Sequence, residues 1–255
     1  AGEAARRGII VVGGNTLDYM SQMAGWSILD YGLYYSGEPA PYVRLGYASL
    51  LSSWALVNSG TAQSGYGYWH PGKENDGAAG WNFQTHKFGT TWALGTSGRG
   101  TWPYGGEIDH GLAGGIRAAA TVVIDDPIFG RIALGGSLHC ENGNCVVTPR
   151  DGAGRRLHLL IGANRVHLIL NTDGLKKSAP VTFDDAMNRI RFHLENRSAR
   201  DHAGSFEISG LPDGNYEFLL NGQRIQKAVS EAGETISCPL QVTSAENQIV
   251  LIQRL

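Results

Sequence analysis

The chain has 255 residues, a formal net charge of −2 and 17% charged residues. This length suits one large domain or two ordinary ones, and the near-neutral charge offers no basic surface for a nucleic-acid backbone. No apolar run approaches the roughly 20 residues that a membrane-spanning helix needs, so we expect a soluble protein with no nucleic-acid or membrane partner.

The first part of the chain predicts a helical hairpin. Residues 16–35 carry apolar side chains at helical spacing behind Asn15 and Thr16, which are suitable N-cap residues. After the break SGEPAPY, residues 43–60 repeat apolar positions at steps of three and four, and Pro41 suits the first turn of this second helix. Two helices alone cannot bury apolar faces this broad. We therefore expect them to pack on the following sheet, or to complete a helical array supplied by another chain or by a missing N-terminal part.

From residue 87 onward, β-branched runs and period-two patterns predict successive strands. These runs are separated by turn sequences such as DDP, ENGN, DGAG and LPDGN. The predicted fold is mainly β with an N-terminal helical hairpin (α+β), and the helices are a candidate for the end of an (α/α) toroid. The predicted domains are the hairpin at 1–60, aromatic loops and an antiparallel β-sandwich at 61–175, and a small C-terminal β-sandwich at 176–255.

The three cysteines give a limited signal. Cys140 and Cys145 bracket an ENGN turn, and this spacing allows either a disulfide across a hairpin or two free thiols. Cys238 is expected to be a buried thiol. Neither spacing matches a zinc site.

Two glycine-rich loops concentrate the aromatic residues. All six tryptophans and nine of the ten tyrosines precede residue 105. Aromatic planes stack on the C–H faces of sugar rings, and polar side chains around them bind the hydroxyls. The alternative is that these aromatics only pack the loops onto the sheet. The candidate carbohydrate-binding residues are Trp69, His70, Asn75, Trp81 and His86 in the loop 65–86, and Arg99, Trp102, Tyr104 and His110 in the loop 95–111.

The same loops carry four carboxylates, which are the candidate catalytic residues for glycoside hydrolysis: Glu74, Asp76, Glu107 and Asp109. Hydrolysis needs two carboxyl groups that flank the glycosidic bond, one as acid and one as base or nucleophile. A polysaccharide lyase would instead abstract the proton beside a uronate carboxyl with Tyr104, His70 or His110, while Arg99 or Asn75 neutralises the carboxylate. A noncatalytic glycan-binding or structural subunit is the third alternative.

No cofactor motif accompanies these residues. The sequence contains no GxSxG, no GxxxxGK[ST] and no HExxH motif. A metal site around His70, Glu74 and Asp76 lacks any standard ligand spacing. We therefore expect no cofactor and no metal.

Four runs together resemble one protein family: YWHPGKENDGAAGW, FGTTW, GRGTWPYGGEIDHG and IRAAATVVIDDPIFGRIALGG, which lie mainly within residues 65–136. The family consists of large secreted microbial proteins of poorly characterised function that look like carbohydrate-active enzymes, in which a helical toroid accompanies β-sandwich domains. The resemblance implies a secreted or periplasmic protein that processes polysaccharide, and it assigns no catalytic residue. Because a toroid has many helices and this chain shows two, residues 1–60 are hypothesised to be the last hairpin of a helical domain whose remainder lies in a second polypeptide.

Overall fold

The computed structural model describes residues 10–12, 15–54, 119–231, 233–244 and 248–255. The chain divides into two compact units, with the boundary between residues 118 and 119. Each unit is described by itself below.

The first unit contains the helical hairpin that the sequence predicts. Strands β1 (Ile10–Val12) and β2 (Asn15–Leu17) pair antiparallel, and they are followed by helices α1 (Asp18–Tyr34) and α2 (Pro39–Trp54). Helix α1 begins two residues later than the pattern suggested, because residues 15–17 pair with β1. In the turn between the helices, Ser36 Oγ accepts a hydrogen bond from Glu38 N at 3.1 Å. Neither described helix is long and apolar enough to cross a membrane.

The two helices pack with their backbones in close contact. A Cβ atom added to Gly46 would lie 2.5 Å from the backbone nitrogen of Leu29, and one added to Gly32 would lie 2.9 Å from the Cβ of Tyr42. Leu29 and Val43 are fully buried beside these glycines. Glycine at position 46 therefore allows an approach that any larger residue would prevent.

The second unit is built from strands in two sheets. The strands are β3 (Thr121–Asp126), β4 (Gly130–Leu134), β5 (Gly136–Glu141), β6 (Asn144–Pro149), β7 (Arg156–Ile161), β8 (Asn164–Leu170), β9 (Gly174–Leu175), β10 (Val181–Asp184), β11 (Arg189–Glu195), β12 (His202–Ser209), β13 (Gly214–Leu220), β14 (Gln223–Ser230), β15 (Thr235–Val242) and β16 (Gln248–Arg254).

The eight-stranded sheet has the order β14-β13-β16-β11-β10-β6-β5, with β9 paired to β11, and the six-stranded sheet has the order β15-β12-β8-β7-β3-β4. The pairs are antiparallel except for β3 and β7, which run parallel. Most of the predicted antiparallel β structure is thus confirmed, with one parallel pair that the sequence pattern did not indicate.

Alternating apolar residues from both sheets form one hydrophobic core. Strand β15 shows the pattern most clearly, because every second residue from Ile236 to Val242 is buried and the others are exposed. Phe206 of the six-stranded sheet lies near Phe192 and Phe218 of the eight-stranded sheet, with ring centroids 5.7 Å and 6.1 Å apart. The two sheets are therefore layers of one packed unit.

Two segments differ from the sequence-based expectation. The run GRIALGGSLH, predicted as one strand, forms β4 and β5, which belong to different sheets and are separated by Gly135 at φ 69°. The polar connector predicted at 175–186 contains β10, which pairs with both β6 and β11. Strand β10 has only four residues, too few to show a clear alternation in a polar segment.

The strand pairings of the two sheets also affect the domain boundary predicted at residue 175. Both sheets combine strands from before and after residue 175, so the boundary predicted between residues 175 and 176 falls inside one compact unit. This arrangement differs from two successive sandwiches. The boundary predicted at residue 60 and the strand predicted at 87–95 lie outside the described residues.

The cysteines adopt one of the two states that the spacing allowed. Cys140 and Cys145 are register partners on β5 and β6 and form a disulfide with a Cα–Cα distance of 4.1 Å. The intervening turn places Asn142 and Gly143 at positive φ, as a two-residue hairpin turn requires. Cys238 is a buried free thiol, as predicted, and burial raises its pKa to about 12.

Candidate functional site

The candidate residues of the two aromatic loops all fall outside the part of the chain that the structure describes. They are the predicted catalytic residues Glu74, Asp76, Glu107 and Asp109 and the predicted carbohydrate-binding residues Trp69, His70, Asn75, Trp81, His86, Arg99, Trp102, Tyr104 and His110. Their assignment therefore rests on the sequence alone.

In the described ranges, no group of three or more His, Cys, Asp or Glu residues could hold a metal ion. The five later histidines lie in strands, as the sequence pattern predicted: His139 in β5, His158 in β7, His167 in β8, His193 in β11 and His202 in β12.

A cavity of about 250 Å³ lies on the outer face of the eight-stranded sheet, over β6, β10 and β11. The sequence RIRFHLE of β11 explains its character, since Ile190 and Phe192 face the core while Arg189 and Arg191 point away from it. We call this site the arginine cavity. The side chains of its outer face belong to Arg189, Arg191, Asn144, Val146, Thr182 and Asp184.

The two arginines of this cavity outnumber its one carboxylate. Arg191 lies opposite Thr182 on β10 and Leu251 on β16. Within the described part of the chain, the side chains of Arg189 and Arg191 form no hydrogen bond and no ion pair. The one carboxylate here, Asp184, uses Oδ1 to accept a hydrogen bond from the backbone nitrogen of Asn188 at 3.0 Å.

His193 continues this face one step along β11. Its Nδ1 atom is buried and forms no hydrogen bond with the residues that the structure describes. Burial lowers the pKa of His193, and the nearby cations Arg191 and Lys176 lower it further. The environment of this strand therefore opposes additional positive charge.

A second cluster has the composition of a nucleophile, a base and an acid. Ser198 Oγ lies 2.9 Å from Nδ1 of His202, and Nε2 of His202 lies 3.0 Å from Oδ2 of Asp173. The carbonyl oxygen of Arg200 also lies 2.9 Å from the same Nδ1. Because a carbonyl oxygen can only accept, this Nδ1 carries a proton and cannot take one from Ser198.

The electrostatics of this cluster agree with that geometry. The hydrogen bond to the Arg200 carbonyl raises the pKa of His202, and the hydrogen bond to Asp173 raises it further. Asp173 also accepts a hydrogen bond from the backbone nitrogen of Arg197 at 3.2 Å. The cluster therefore fastens the loop before β12 to Asp173 rather than forming a nucleophilic site.

Sequence reasoning missed both the arginine cavity and the His202 cluster. Asp173 and His202 are 29 positions apart, and the residues of the arginine cavity come from three strands of which one was not predicted. The alternation of Arg189 and Arg191 in β11 was the one available signal.

In comparisons with known proteins, no family model, curated protein or solved structure matches this chain.

Proposed function

We propose that this protein is a secreted or periplasmic carbohydrate-active protein, specifically a glycoside hydrolase or a subunit of one that acts on a polysaccharide or oligosaccharide. The observation that carries the proposal is the pair of glycine-rich loops at 65–86 and 95–111, which combine tryptophan and tyrosine with carboxylates, histidines and arginine. Loops longer than about 12–15 residues are uncommon in compact domains, and binding loops are one of the classes in which they occur.

In the proposed reaction, two of the four loop carboxylates Glu74, Asp76, Glu107 and Asp109 act together. One is protonated and donates its proton to the glycosidic oxygen as that bond breaks. The other is ionised and either activates a water molecule or attacks the sugar carbon directly. Trp69, Trp81 and Trp102 stack on the sugar rings.

The arrangement of the two sheets supports this proposal. Two sheets that share one core fit a β-sandwich, the architecture that the family resemblance implies. We further propose that the helical hairpin completes a toroid contributed partly by a second polypeptide. Native mass spectrometry of the protein from its source should then show a companion chain, whereas a stable, fully folded monomer would contradict this part of the proposal.

A polysaccharide lyase is the second candidate, and the arginine cavity is the observation that favours it. Two arginines without partners in the described part of the chain suit an acidic polysaccharide, which is the substrate class that a uronate lyase requires. In this alternative Tyr104, His70 or His110 removes the proton beside the uronate carboxyl.

Incubation with a panel of neutral and uronate-containing polysaccharides separates these classes. A hydrolase releases new reducing ends without ultraviolet absorption, while a lyase leaves an unsaturated end that absorbs. Binding without either product would support a noncatalytic glycan-binding subunit.

The carboxylate assignment is tested with Glu74→Gln and Glu107→Gln. Each variant should lose turnover by at least about a hundredfold, the contribution typical of a positioned acid or base, and should still bind the polysaccharide. Glu231→Gln, which alters an exposed carboxylate of the second unit, is the matched control and should keep full activity. Full activity in both loop variants would show that the assignment is wrong.

A further inference from the structure

We propose that the arginine cavity, which is formed by residues other than those of the aromatic loops, is an anchoring site for the carboxylate or sulfate group of an acidic saccharide. The saccharide part of this inference rests on the proposed function, whereas the anionic part rests on the cavity itself.

The two guanidinium groups provide the charge. Arg189 and Arg191 are two residues apart on one strand, so their side chains leave the same face about 7 Å apart. Each guanidinium is a planar fork of donors that matches carboxylate or sulfate oxygens. Since neither forms an ion pair within the described residues, an anion can bind without breaking an existing contact.

The surroundings of these arginines favour a sugar acid over a bare inorganic anion. Asp184 adds a negative charge that weakens binding of a simple anion, but its carboxylate can accept hydrogen bonds from hydroxyl groups. Asn144 and Thr182 provide further polar groups. A ligand with one acidic group and several hydroxyls can pair its acid with the two arginines and donate its hydroxyls to Asp184.

The apolar part of the face suits the C–H surface of a sugar ring. Val146 is 36% exposed at the cavity, and Leu251 lies beside Arg191 in the register of the sheet. The volume of about 250 Å³ is just below the range of about 300–1,000 Å³ that is usual for drug-sized ligands. The cavity is therefore matched to a single sugar residue of a longer chain.

The test is affinity electrophoresis of the full chain through gels that contain polygalacturonate, dextran sulfate or neutral dextran at constant salt. The variant Arg189→Gln/Arg191→Gln should bind polygalacturonate or dextran sulfate at least about tenfold more weakly than the wild type, because it loses charge-assisted hydrogen bonds. Neutral dextran should retard neither protein through this site. If the variant loses more affinity for polygalacturonate, the acidic group is a carboxylate. If it loses more affinity for dextran sulfate, the group is a sulfate.

The matched control is Arg224→Gln/Lys227→Gln, which removes the same charge from β14, three strands away in the same sheet. It should bind like the wild type. Equal weakening of binding in both double variants would show that the effect depends only on net charge and would overturn the inference. Binding by Arg189→Gln/Arg191→Gln at the wild-type affinity would also overturn it. A third variant, Arg189→Lys/Arg191→Lys, keeps the charge without the planar forks and should bind with intermediate affinity.

The failure of this inference is distinguishable from failure of the proposed function. Polysaccharide cleavage together with unaltered polyanion binding by Arg189→Gln/Arg191→Gln would reject the arginine cavity and retain the proposed function. Polyanion binding that depends on these arginines, without cleavage of any polysaccharide, would retain the cavity and reject the hydrolase and the lyase.

Discussion

His158 and His167 lie directly opposite each other on β7 and β8, with their Nδ1 atoms 2.8 Å apart. Both side chains are buried, with exposed fractions of 1% and 6%. One Nδ1–H donates to the other Nδ1, an arrangement that requires the accepting ring to be neutral. Burial is the main cause that lowers both pKa values, and together with the positive charge of Arg165 it brings the pKa of His167 to about 4.

This pair predicts that acid destabilises the second unit. Between pH 6.5 and about 4 the unfolded chain protonates His167 while the folded chain does not, so the free energy of unfolding falls as the pH falls. The loss from His167 alone is about 3 kcal/mol. Urea unfolding at several pH values should show a shallower pH dependence for His167→Asn than for the wild type.

The control for this prediction is Leu168→Ala, a core truncation next to His167 that removes no titrating group. It should lower the free energy of unfolding at every pH and keep the wild-type slope. Parallel pH curves for the wild type and His167→Asn would contradict the role of the pair.

The disulfide should contribute only a modest part of the stability. Cys140 and Cys145 are five positions apart, and closing so short a loop stabilises the folded state by about 2 kcal/mol. Cys140→Ala/Cys145→Ala should therefore lower the free energy of unfolding in urea by about this amount. A reducing agent should destabilise the wild type to a similar extent and leave the variant unchanged. A variant that does not fold would show that the disulfide contributes far more to the free energy of unfolding than loop closure predicts.

Gly46→Ala should weaken the helical hairpin. The new methyl group would meet backbone atoms of α1, and such overpacking costs about 1–3 kcal/mol, more than the gain of about 1 kcal/mol from better helix propensity. Gly37→Ala, in the turn between the helices, is the matched control, because no atom lies within 4 Å of its added Cβ. Hydrogen exchange of α1 and α2 should be faster in Gly46→Ala than in Gly37→Ala, and equal rates would count against the close contact.

Asp173→Asn should lower the pKa of His202. The raised pKa of His202 means that its interactions stabilise the fold fully below the unfolded value of about 6.5 and that this contribution is lost as the pH rises through the folded value. NMR titration of the His202 ring should show a clear downward shift of the pKa in Asp173→Asn. Asp201→Asn removes only a weaker coulombic influence and should give a smaller shift. Equal shifts in the two variants would reject the specific bond to Asp173.

The sequence predicted the local elements better than their assembly. Alternation in β11 and β15 and the helical spacing of residues 18–34 are properties of single segments, and these were confirmed. Strand β10 was missed because four residues in a polar stretch carry little pattern. The arginine cavity could not be predicted because it depends on the register between β6, β10 and β11, which is set by packing across the whole sheet.

The position of β16 has a consequence for biosynthesis. This strand, residues 248–254, lies between β13 and β11 in the interior of the eight-stranded sheet. Until the ribosome has released these residues, β13 and β14 have no partner that joins them to β11, and two inner edges of the sheet remain open. The nascent chain therefore completes this sheet only after residue 254 has emerged, and before that point its open edges can pair with another chain.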